Sequence, residues 1–219
     1  MSTKGLLKRT ENFTNLLENV PEAYRRSLRM IEYLLVLNPH EELRDKIMKV
    51  KTEFAEKYKA TMAKNLRPHI TLVHFLTWDM MEEKIIQRMR HIAMGTTPFK
   101  VELKDYGSFP THSIYINVTT KVPIVNLAKE MKSVQRLMKA DPRFDPHFIA
   151  EPHLTIARKL LPWQYEKGWL DYSHRHFTGH FIANNMLLLK RAAGTMAYQI
   201  VERMEFQNLP VSTIQPSLF

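Results

Sequence analysis

The 219-residue sequence contains no cysteine. That absence excludes disulfides, thiolate metal sites and a cysteine nucleophile, and it fits a reducing compartment. Long apolar runs are also missing. Among the longest is Met186-Leu187-Leu188-Leu189, far short of the roughly 20 residues a membrane-spanning helix needs. The first ten residues lack the apolar core of a secretory signal, so the sequence predicts a cytoplasmic protein with no membrane partner. No basic arm is present either. Net charge is +10, yet the lysines and arginines are spread along the chain, which argues against a nucleic-acid-binding tail and for a diffuse positive field. An anionic partner such as a nucleotide, an RNA or a phosphorylated small molecule fits that field. So does the plain basic surface of a soluble protein.

What is present is an ordinary globular composition, 44% hydrophobic and 25% charged, in a chain long enough to bury a sizeable core. Residues 1–30 read as a helical appendage, with Pro21 interrupting the spacing of Leu6, Phe13, Leu16 and Val20. A buried strand is expected over 32–38 and an amphipathic helix over 40–58, with Leu43, Ile47, Val50 and Phe54 as its apolar stripe. Asp79 is placed to cap a helix that ends at Gly95. Alternating strands are expected over 99–106 and 113–119, joined by a turn at Gly107-Ser108-Phe109-Pro110. A helix follows Pro123, and another region of helix covers 161–174. Residues 177–191 and 198–206 read as a last pair of strands, and 208–219 as a flexible tail. The pattern predicts an α+β fold over 31–207. It consists of two pseudo-symmetric lobes, each a mostly antiparallel sheet with helices on its outer face, around a central cleft.

Two stretches in this frame say nearly the same thing. One is Pro68-His69-Ile70-Thr71-Leu72; the other is Pro152-His153-Leu154-Thr155-Ile156. Each alternates with the period of a strand, so His69 and Thr71 share one face and His153 and Thr155 share another. Each motif strand is expected near the centre of its lobe, and the two are expected to face each other across the cleft. Two imidazoles that titrate near neutrality can supply one general base and one general acid, as cleavage or transfer at a phosphodiester requires. The threonine hydroxyls can donate to non-bridging phosphate oxygens as charge builds. Neither a metal nor an organic cofactor is required. His174, His176 and His180 follow no common ligand spacing, lack an evident carboxylate partner, and read as surface histidines.

The paired motifs resemble the signature of the 2H phosphoesterase superfamily, whose bacterial branch comprises 2′-5′ RNA ligases, or RNA 2′,3′-cyclic phosphodiesterases. The resemblance covers roughly residues 31–207. It implies a bilobal pseudo-two-fold fold and metal-independent opening or forming of 2′,3′-cyclic or 2′,5′ phosphodiester bonds in RNA or nucleotides. His69, Thr71, His153 and Thr155 take the catalytic positions. Arg158 matches a basic residue that contacts phosphate in the bacterial branch. Strict alternation puts it on the face of Leu154 and Ile156, so a bulge or strand end must re-aim it. Lys159 is the rival on the cleft face. His74, at the matching place in the first half, reads as structural. Tyr115 and Phe109 are candidate stacking surfaces for a base, and Trp163 and Trp169 read as core. A nucleotide- or RNA-binding module without turnover is the alternative. Either histidine can be the acid, since the roles exchange between hydrolysis and ligation.

Overall fold

A computed structural model describes residues 29–65, 67–139, 144–192, 195 and 197–210. Most of the expected N-terminal appendage, and the tail beyond 210, lie outside the described residues. Five strands form one sheet in the order β5-β2-β1-β8-β9, and four form a second in the order β6-β4-β3-β7. The strands are β1 (Met30–Leu37), β2 (Ile70–Trp78), β3 (Phe99–Phe109), β4 (Ser113–Val118), β5 (His147–Phe148), β6 (His153–Arg158), β7 (Thr178–Ala183), β8 (Asn185–Ala192) and β9 (Gln199–Glu205). Every pairing is antiparallel. The helices are α1 (Glu41–Lys57), α2 (Glu82–Gly95), α3 (Lys121–Glu130), α4 (Gln135–Met138) and α5 (Pro162–Tyr172). Among the described residues no helix is long and apolar enough to cross a membrane.

Apart from the two-residue β5, the sheets repeat one plan: motif strand, the strand before it, a strand exchanged from the other half of the chain, and an outer strand. The helices are exchanged too. α1 comes from the first half but packs on β6 and β7 of the second sheet, and α3 comes from the second half but packs on β2. The α1 stripe of Leu43, Ile47 and Phe54 meets the buried faces of strands carrying Ile114, Leu154 and Ile156. Burying each such side chain is worth about 1.5–3 kcal/mol. These aliphatics are the residues that alternate with the motif polar groups, so core formation turns His and Thr to the opposite, cleft-facing side.

Four expectations change. The motif strands are not central: β6 is an edge strand, and β2 has only β5 beyond it. Residues 177–191 are two strands, because the chain crosses from one sheet to the other at Asn184, whose carbonyl accepts from the Phe206 amide at 2.8 Å. Gly107, Ser108 and Phe109 belong to β3, and the turn falls at Pro110-Thr111-His112, with Thr111 at φ 64°. Asp79 caps no helix. It opens a short 3-10 turn, and its carboxylate lies 3.6 Å from Lys190. At the other end, the amides of Asn208 and Leu209 donate to Thr96 and Met94 carbonyls.

Candidate active site

His69 immediately precedes β2, and His153 opens β6. The two motif strands pack against each other, so the sheets meet where the motifs lie. The local geometry is the same in both copies. The His69 Nδ1–H donates to the Arg67 carbonyl at 2.8 Å, and the His153 Nδ1–H donates to the Glu151 carbonyl at 2.7 Å. A carbonyl only accepts, so the proton must sit on Nδ1. Each neutral ring therefore presents a bare Nε2, able to take a proton and later return it. The intervening prolines, Pro68 and Pro152, are buried and have a fixed φ, which holds the two-residue loop that brings the carbonyl under the ring. Thr71 and Thr155 are half-buried on the same faces. Among the described residues their hydroxyls have no protein partner.

Both imidazoles are held below the ordinary histidine range. Burial is the main cause for each. For His69 the positive charges of Lys51 and Arg158 and the nearby His153 add to it, and its pKa is pushed down to about 4. Both rings are thus neutral at pH 7. The sign of the consequence follows by linkage. The unfolded chain binds protons as pH falls below about 6.5, whereas folded His69 does not until about 4. Unfolding free energy is expected to hold at neutral pH and to drop between pH 6.5 and 4. His69→Asn should flatten that drop, as denaturant titrations at pH 7, 5.5 and 4.5 would show. An identical slope in the variant would contradict the assignment.

A one-residue irregularity resolves where Arg158 points. Tyr115 pairs with Thr155 but Ile114 pairs with Ala157, so Ile156 is an extra residue in β6. The burial sequence agrees, since Ile156 and Ala157 are both buried and Arg158 is exposed. After this bulge the alternation restarts, and Arg158 shares a face with His153 and Thr155. Lys159 loses the place that strict counting gave it; it lies in the turn beyond, at φ 54°. β2 carries the same device. Val36 pairs with Thr71 and Leu35 with Val73, leaving Leu72 extra, so His74 joins the cleft face at the position matching Arg158. Its role differs. The His74 ring meets Glu32 at 3.0 Å, and Glu32 also accepts from Arg191 at 2.7 and 2.9 Å and from Tyr198 at 2.6 Å. Burial opposes ionisation of Glu32, but the Tyr198 and Arg191 hydrogen bonds hold its carboxyl below the usual range. Arg191 is thereby neutralised, whereas Arg158 has no ion pair among the described residues.

Phe109 and Tyr115 wall His153, with ring centroids 5.0 and 4.9 Å from the imidazole and 4.7 Å from each other. Gly107 makes this possible. A Cβ there would lie 2.5 Å from both the Tyr115 ring and Asn117 Oδ1, too close for either to stay. Beside His69 lies a pocket of ≈ 390 Å³, with Arg67 and Asn65 at its rim and Leu187, Leu189, Tyr198 and Ile200 along its wall. Trp169 packs on the core, but Trp163 is exposed. His176 meets Asp105 at 3.2 Å on the opposite margin, and among the described residues no cluster of three or more His, Asp or Glu is arranged to hold a metal ion.

Sequence reasoning missed Lys51. It replaces Val50 on the buried stripe of α1, is 2% exposed, and donates to the Thr155 carbonyl at 3.0 Å. Burial first, and then Arg158, push its pKa down to about 8. Its one sequence signal is position: it falls four residues after Ile47, on the same helical face.

This two-sheet architecture is that of the 2H phosphoesterases. It is similar to TT0787 of Thermus thermophilus (TM-score 0.59, 16% identity, covering 80% of this chain and 98% of that one). It is also similar to E. coli LigT solved with 3′-AMP (TM-score 0.56, 12% identity, 81% and 99%) and with phosphate (TM-score 0.51, 13% identity, 81% and 98%). No curated protein sequence matches the chain. A family model described as the 2′-5′ RNA ligase superfamily matches residues 37–195, and the chain belongs to that family.

Proposed function

We propose that the protein is a metal-independent phosphoesterase acting on 2′,3′-cyclic or 2′,5′ phosphodiester bonds in RNA or nucleotides. The observation that carries this reading is the duplicated histidine geometry. Two imidazoles on adjoining strands are each anchored through Nδ1, with Nε2 left to exchange a proton. In hydrolysis one Nε2 takes a proton from water as the water oxygen attacks phosphorus. The other, protonated when the anionic substrate is bound, gives its proton to the departing ribose oxygen. Thr71, Thr155 and Arg158 donate to the non-bridging oxygens, whose charge grows in the transition state. The ligation direction uses the same groups with roles exchanged. The pocket beside His69 has the size and the mixed apolar and cationic lining that a nucleoside needs. The exposed edge of Phe109 offers a stacking surface on the His153 side.

Supporting a nucleotide-class substrate, LigT, a protein of this fold, was solved with 3′-AMP, ATP and NADP⁺. A 2′,3′-cyclic-phosphate-ended RNA incubated with the protein in excess EDTA should be opened at the rate seen without chelator. Activity that disappears in EDTA and returns with a divalent cation would contradict the two-imidazole mechanism. Tight binding of the RNA with no change in it would favour a binding module instead.

A further inference from the structure

Lys51 is a charged side chain in a place that favours apolar ones. It sits on the buried stripe of α1 between Ile47 and Phe54, and no carboxylate pairs with it among the described residues. At the pseudo-symmetric place, the buried stripe from α3 to α4 under β2 is wholly apolar: Ile124, Leu127, Met131, Val134 and Met138. The lysine is therefore a departure from the fold's own symmetry, and an isolated buried ammonium is strongly disfavoured unless something else compensates it. Its one hydrogen bond among the described residues goes to the Thr155 carbonyl, the residue just before the β6 bulge that restarts the alternation at Arg158.

We propose that Lys51 is a positioning residue of this cleft: its buried ammonium fixes the Thr155 backbone at the bulge and gains its counter-charge when the phosphate of the substrate binds. The inference rests on the proposed phosphodiester site. The charges around Lys51 support it. The charge of Arg158 on β6 acts on Lys51, and that of Lys51 acts on His69 of the first motif. The 61–65 turn brings exposed Lys64. Asp171 of α5 accepts from Lys57 and Tyr58, and Glu53 of α1 itself pairs with Arg175. β7 brings the Thr178 carbonyl, which accepts from Lys46. Lys51 and Arg158 thus form a like-charge pair beside His69. An anion at the motifs relieves that repulsion, and without one the two cations add to the burial that keeps His69 neutral. A lysine serving only to tie α1 to β6 would do neither.

The test compares the full-length protein with Lys51→Met and Lys51→Arg. Histidine titrations are followed by NMR, and binding of inorganic sulfate, which does not titrate near neutrality, is followed by calorimetry from pH 7 to 9. In Lys51→Met the midpoint of His69 should rise by about half a pH unit or more, because a nearby like charge is gone. Sulfate binding at pH 7 should weaken by about tenfold. In the wild type, sulfate affinity should fall more steeply as pH passes about 8 than in Lys51→Arg, which stays charged and keeps only the decline linked to histidine protonation. An unchanged His69 midpoint together with unchanged sulfate affinity in Lys51→Met would overturn the proposal. If Lys51→Met fails to fold, the arginine variant decides alone: the same pH dependence as the wild type overturns it. None of these readouts needs turnover. Absence of cyclic phosphodiesterase activity in the wild type would sink the proposed reaction and leave the role of Lys51 at this anion site standing.

Discussion

His69→Ala and His153→Ala should each slow opening of a 2′,3′-cyclic-phosphate RNA by about 10²–10⁴-fold, the usual worth of one positioned proton transfer. Both losses should fall mainly on kcat, because in the proposed reaction the ring Nε2 acts on protons that move only during the chemical step. The double variant should be little slower than the worse single one, since an acid without its base has little left to do. Neither change should unfold the protein. Both rings face the cleft, and the aliphatics that hold β2 and β6 in place, Ile70, Leu72, Leu154 and Ile156, point the other way and are fully buried. Single-turnover assays with saturating RNA measure these effects. Full activity in either single variant would remove that histidine from the mechanism.

The second large effect concerns Arg158. Its guanidinium should bind the phosphate through charge-assisted hydrogen bonds, which are worth about 1.5–3 kcal/mol, or roughly 10–150-fold. Arg158→Ala should therefore lower kcat/KM by about that factor, and Lys159→Ala should leave it within twofold. The contrast isolates the bulge. Without the extra residue Ile156, strand alternation reverses the two side chains and the expected ranking of the variants reverses with them. A loss in Lys159→Ala equal to that in Arg158→Ala would place both residues at the anion and contradict the restarted alternation. His74→Ala, at the matching position of β2, tests the symmetry from the other side. Its ring is committed to Glu32, so removal should act on the Glu32, Arg191 and Tyr198 network and change turnover less than Arg158→Ala does.

The motifs were legible because a period of two over five residues leaves little freedom. Once Ile70, Leu72, Leu154 and Ile156 are core, His69, Thr71, His153 and Thr155 must face away from it. The bulges were not legible. One extra residue in a strand leaves the same apolar letters in place; Ile156-Ala157 and Leu72-Val73 read equally well as ordinary strand. The sheet crossing at Asn184 was hidden for a similar reason, since apolar residues lie on both sides of it and the change of partner is a tertiary event. The Gly107 position was misread as a turn because glycine suits turns. Here it is needed for the close approach of Tyr115 and Asn117 over β3. Lys51 was invisible because a lysine between Val50 and Thr52 on an amphipathic helix looks solvated, and only the exchange of α1 onto the second sheet buries it.

The central claim is that the two His-x-Thr motifs make one anion site. A crystal structure of the protein with bound sulfate or phosphate tests it most directly. One anion is expected between the motif strands, within hydrogen-bond distance of His69 Nε2, His153 Nε2, both threonine hydroxyls and the Arg158 guanidinium. An anion held by one motif alone, or bound elsewhere with both histidines unoccupied at saturating concentration, would contradict the claim.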